Sequence, residues 1–109
     1  MELYHTTDAD GITEINPSEA RMRELLDELD DIDITETAHP DVSLIHDFSG
    51  WMLTVYPRGI ISLENLDQND EAPRFMKGVS RKASCELWLE LARGEIHKVN
   101  ARNWQIQEA

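Results

Sequence analysis

Residues 41–66 read DVSLIHDFSGWMLTVYPRGIISLENL, and no other stretch limits the fold as strongly. Val42 and Leu44 flank Ser43; Trp51, Leu53 and Val55 alternate with Met52, Thr54 and Tyr56; Ile61 and Leu63 alternate with Ser62 and Glu64. A period of two sends alternate side chains to opposite faces of an extended chain. The breaks between these runs are of hairpin length. Asp47 to Gly50 is one, and Pro57-Arg58-Gly59 is the other, with Pro opening a type I turn and Gly taking the left-handed position. Loops this short can join only antiparallel neighbours, because a parallel crossover needs a dozen or more residues. The segment therefore predicts a three-stranded meander with one apolar face that must be covered.

The flanking sequence supplies the cover. Before the meander, Asn16 can cap a helix, Pro17 fits its first position and Glu19 can complete a capping box. Met22, Leu25, Leu26 and Leu29 then follow at helical spacing, and the helix is expected to end near Asp31. After the meander, Ser80 can cap a second helix with Ala83, Leu87, Trp88 and Leu91 on its buried side and Gly94 stopping it. Glu2 to Thr7 suits a short strand, Asp8 to Gly11 a turn, and Ile12 to Ile15 a second extended piece. Residues 67–79 read as a loop. The tail EIHKVNARNWQIQEA reads either as a final strand or as a helical turn that pins Trp104 to the core. The whole predicts a single α+β domain over residues 1–109. It is a two-layer sandwich in which an antiparallel sheet, the β-meander plus an N-terminal strand, is covered on one face by two helices. Leu25, Leu29, Leu53, Val55, Leu87, Trp88 and Leu91 are the expected core. The opposite sheet face would carry Ser43, Ile45, Met52, Thr54, Tyr56 and Ser62, a mixture that is either a working surface or is buried by the loop or the N-terminal strand.

Charge is distributed unevenly. The chain has a formal net charge of −12. Residues 1–71 hold 18 acids and 3 bases, whereas residues 72–109 hold 4 acids and 7 bases. Such a field repels phosphate, which disfavours direct nucleic-acid binding, and speeds encounter with a basic protein partner. The densest run is LLDELDDIDITE, Leu25 to Glu36, with six acids and no base. As a calcium loop it fails on spacing. Glu36 stands where the glycine of the loop is required, and Ser43 replaces the terminal bidentate Glu. The run reads instead as exposed carboxylates, Asp27, Glu28, Asp30, Asp31 and Asp33, available to a basic protein. Trp104, outside the predicted elements, is the best aromatic anchor for an interface. Apart from that, a homodimer is compatible with the apolar sheet face.

No catalytic constellation appears. The four histidines, His5, His39, His46 and His97, have no metal-helix spacing, and there is no HExxH, CxxC, GxSxG, P-loop or dinucleotide motif. His46-Asp47 beside Ser49 has the residue types of a hydrolase, but neighbours on a strand point to opposite faces. Cys85, near Arg81 and Lys82, has a reactive-thiol reading and a small-core-residue reading, of which the second is favoured. The expectation is a non-enzymatic protein without metal or cofactor. One cysteine allows no intrachain disulfide, and neither a signal-peptide pattern nor an apolar run long enough to span a bilayer is present, so a cytoplasmic, non-membrane location is expected.

The NPSEA helix start, the SGWMLTVY strand and the order of elements from Asn16 to Gly94 resemble small acidic bacterial immunity proteins that neutralise polymorphic toxins. That resemblance implies an acidic surface set against the basic site of a toxin, and transfers no individual residue. Two other classes fit the composition: a small dimeric adaptor or secretion-type chaperone, and a small-ligand-binding regulator with a pocket between sheet and helices.

Overall fold

The meander forms as its alternation requires. A computed structural model describes residues 3–30, 41–67 and 73–106. In it β3 (Val42–His46), β4 (Trp51–Tyr56) and β5 (Ile60–Asn65) pair antiparallel, with Leu44 opposite Leu53 and Leu53 opposite Leu63. Val42, Leu44, Leu53, Val55, Ile61 and Leu63 all face one side and are buried.

The sheet is wider than the meander and one N-terminal strand. β1 (Tyr4–Thr7) and β2 (Thr13–Ile15) form a hairpin at one edge, and β6 (Arg74–Met76) and β7 (Gln105–Ile106) extend the other. Among the described residues seven strands lie in the order β2-β1-β3-β4-β5-β6-β7, every pair antiparallel. The expected loop over 67–79 thus contains a strand. Arg74-Phe75-Met76 is too short to show a period, and it is extended because it lies along the open edge of β5, pairing Phe75 with Ser62.

The covering layer consists of α1 (Glu19–Asp27), α2 (Arg81–Ala92) and the short α3 (Ile96–Asn100). α1 continues as a 3-10 turn through Asp30. Its cap is Ser18 rather than Asn16: the Ser18 side chain accepts the Arg21 N–H at 3.2 Å. Asn16 takes a left-handed backbone, φ 49, and its Oδ1 accepts the Tyr4 N–H, so this side chain is spent on joining the hairpin to the helix entry. Ser80 caps α2 as the spacing predicts, accepting the Ala83 N–H.

The seven residues expected in the core, Leu25, Leu29, Leu53, Val55, Leu87, Trp88 and Leu91, are buried. Trp88 lies at its centre and donates its indole N–H to the Leu53 carbonyl at 3.1 Å. Trp51 and Trp104 pack against the same cluster from its margin. The tail contains both of its expected alternatives. α3 is a helical turn whose Val99 carbonyl accepts the Trp104 indole N–H at 2.7 Å, and β7 follows directly.

The N-terminal hairpin extends the sheet and covers neither face. On the outer side Ser43, Ile45, Met52, Tyr56, Ser62 and Phe75 remain partly exposed, and only Thr54 is buried. Among the described residues no helix is long and apolar enough to cross a membrane.

Candidate functional site

The carboxylates of the acidic run that fall in described residues, Asp27, Glu28 and Asp30, are exposed at the end of α1. Asp31 and Asp33 lie outside the described residues. What the sequence does not show is which other acids join them. β2 leads into α1, and the helix runs back alongside the hairpin, so its C-terminal end approaches the β1–β2 turn. The Glu28 carboxyl is held above its ordinary value, first by lost hydration and then by Asp8, Asp10 and Glu14, with Arg21 pulling the other way. Two acids of the turn, one of β2 and the end of α1 thus share one end of the sheet.

Arg21 is the base set among them. Its Nε donates to both Glu14 carboxylate oxygens, at 2.8 and 3.1 Å, and its Nη1 donates to Glu24 at 3.1 Å. Glu28 is also within 4.0 Å of it. The Glu14 bond is the largest cause of a guanidinium pKa above the ordinary value. One cation shared by three carboxylates leaves the cluster net negative. The turn itself is fixed by Asp8, whose side chain accepts the N–H groups of Asp10 and Ile12.

This geometry gives a pH-dependent stability of known sign. A carboxyl whose native pKa is raised is more readily protonated folded than unfolded, so its ionisation destabilises the fold as pH rises. The loss begins near the ordinary Glu value, about 4.3, and is complete above the raised native one. Glu28→Gln is expected to melt above the parent protein at neutral pH, with the gap closing below about pH 4. Thermal melts across pH read this directly. A gap that instead opened on acidification would overturn the raised Glu28 pKa.

Trp104 does not join the acids. It stands on the segment from α3 into β7, at the opposite edge of the sheet from the hairpin, half-buried with its N–H bonded to Val99. A second exposed group lies at the far end of β1. Leu3 accepts the Asp47 N–H, Leu66 donates to Gly50, and Phe48, 85% exposed, tips the loop between them. That loop is firmly tied. His46 Nδ1 lies 2.7 Å from Ser49 Oγ, Asn65 donates to the Ser49 carbonyl, and Asp47 pairs with His5 at 2.9 Å. The His46–Ser49 contact brings together two of the hydrolase residue types, but Asp47 faces His5 and does not orient His46. His46, the last residue of β3, is buried.

Cys85 is buried, as its core reading predicts, and burial raises its thiol pKa, with Arg23 beside it pulling down. Among the described residues no three His, Cys, Asp or Glu side chains converge to hold a metal ion. Searches against family models, curated proteins and solved structures match nothing to this chain.

Proposed function

We propose that this protein is a non-enzymatic acidic binding module, an inhibitor of the immunity-protein kind, that docks a basic protein through the end of the sheet where the hairpin and α1 acids meet. The observation that carries this reading is that Glu28 feels the charges of Asp8, Asp10 and Glu14, while Arg21 is the cation paired with Glu14, Glu24 and Glu28. Scattered carboxylates only keep a chain soluble, whereas carboxylates gathered at one end form a directional field. A toxin site built to hold phosphate presents the complementary cations.

The test is kinetic. A partner is captured from the native cell lysate, purified, and its association measured against salt. Moving from about 50 to 500 mM salt shortens the Debye length from roughly 14 to 4 Å, which slows association far more than dissociation. The double variant Asp10→Lys, Asp27→Lys alters exposed side chains outside the turn-fixing bonds of Asp8, and exposed substitutions usually change stability by less than about 0.5 kcal/mol. It is expected to slow association about tenfold or more with an unchanged melting temperature. An association rate indifferent to both salt and the double variant discards the proposal.

The uncovered outer sheet face favours a second reading, a dimeric adaptor that pairs through Ile45, Met52, Tyr56 and Phe75. Sedimentation distinguishes the two: a dimer broken by Met52→Glu and indifferent to Asp10→Lys supports the adaptor.

A further inference from the structure

β2 ends the sheet and pairs with β1 on one side only. The Asn16 N–H donates to the Tyr4 carbonyl and the Asp8 N–H to the Ile12 carbonyl, so Tyr4–Asn16 and Asp8–Ile12 are bonded pairs of this ladder. Antiparallel pairs alternate between bonded and non-bonded. Thr6–Glu14 is therefore bonded, while His5–Ile15 and Thr7–Thr13 are not. Thr13 and Ile15 thus turn their main-chain N–H and C=O groups away from β1, and among the described residues no partner meets them.

The side chains leave the same edge open. Ile15 is 74% exposed and Thr13 is exposed beside it, both β-branched residues that suit strand pairing. Free edges are commonly guarded by lysine, proline or an inward-pointing charge. β2 has neither lysine nor proline, and its one charge, Glu14, is held from the helix side by Arg21. Asp8 and Asp10 on the turn, with Glu24 and Glu28 around Arg21, make the surroundings of this edge negative.

We infer that β2 receives an extended basic segment of the protein partner as an added strand. The main chain of that segment bonds Thr13 and Ile15, alternate apolar side chains lie on the face of Ile15, and the cations between them lie on the face of Glu14. This rests on the basic-partner reading and names how the partner engages. A second copy of the chain fits the edge poorly, because β2–β2 pairing would set the hairpin acids of both copies along one seam.

The probe is the hexapeptide Lys-Val-Lys-Val-Lys-Val, acetylated and amidated at its ends. Followed by NMR, it should protect the Thr13 and Ile15 amides from solvent exchange at least about tenfold and leave Glu14, already bonded to β1, unchanged. Calorimetry at low salt should give sub-millimolar affinity. The same peptide methylated at every backbone nitrogen keeps its charges and side chains but donates no strand bond, and should bind at least about tenfold more weakly. Glu-Val-Glu-Val-Glu-Val should not bind. Thr13→Pro removes an outward donor without touching a bond to β1, and should weaken the peptide about fivefold or more. Ile15→Lys, at an exposed position, is the second variant and should weaken it severalfold with an unchanged melt. Equal binding of the methylated peptide overturns strand addition while leaving the acidic docking surface standing, since charge alone then suffices. No saturable binding below about 2 mM peptide overturns it as well. So does protection of Thr13 and Ile15 that arises without peptide and grows with protein concentration, which would mark β2 as a self-pairing edge.

Discussion

Trp88→Ala is expected to cost about 3–5 kcal/mol, the largest loss from any single truncation in this chain. The indole is fully buried where α2 meets the sheet, and it is the largest side chain in the core. Removing it loses its transfer free energy and opens a cavity that the rigid meander cannot close. The indole N–H also bonds the Leu53 carbonyl, so the truncation leaves that acceptor facing the void. Single domains of this size are stable by only about 5–15 kcal/mol, so the truncation removes a large share of the total. Urea denaturation followed by circular dichroism measures it. Trp104→Ala, which removes a half-buried ring at the margin of the core, should cost clearly less. Equal losses at the two positions would mean that the core is centred differently.

Gly59→Ala should cost about 3 kcal/mol or more, although it adds one methyl group. Gly59 has φ 76, where a β-carbon meets about 1–2 kcal/mol of backbone strain. That β-carbon would also stand 2.9 Å from the Val79 carbonyl oxygen and 3.2 Å from its nitrogen. Neither atom can yield readily, because the Val79 N–H donates to the Gly59 carbonyl at 3.0 Å and the next residue, Ser80, caps α2. Gly11→Ala is the matched control. Its φ is 82 and nothing lies within 4 Å of the added carbon, so only the backbone strain remains. The difference between the two variants in a denaturant titration isolates the contact. If they are equally destabilised, the close approach of the Pro57–Gly59 turn to Val79 is not present in solution.

These two residues were unequally legible. Trp88 falls at i+1 from Leu87 and i−3 from Leu91, so the helical period assigns it to the core without knowledge of what it meets. Gly59 was read as a turn glycine, which is correct for its positive φ. Arg58 shares the left-handed region at φ 69, against the expected type I geometry. The contact with Val79 depends on the link between β6 and α2, twenty residues away, and left no local trace. β6 was missed for a related reason. A strand of three residues carries too few positions for a period, and it exists because β5 offers an open edge.

The candidate surface divides in the same way. The carboxylates at the end of α1 stand together in the chain and were visible as a run. Asp8, Asp10 and Glu14 are separated from them by a whole helix. Nothing in their spacing indicates that they return to it. Alternation and helical spacing determined by themselves the meander, the two main helices, the buried face of each and the α+β class, because every one of these is a local periodicity that burial rewards in only one phase. The tertiary structure alone decided which acids share an end of the sheet and which glycine touches the link into α2. Those properties depend on distances between residues remote in the chain, and a one-dimensional pattern does not encode them.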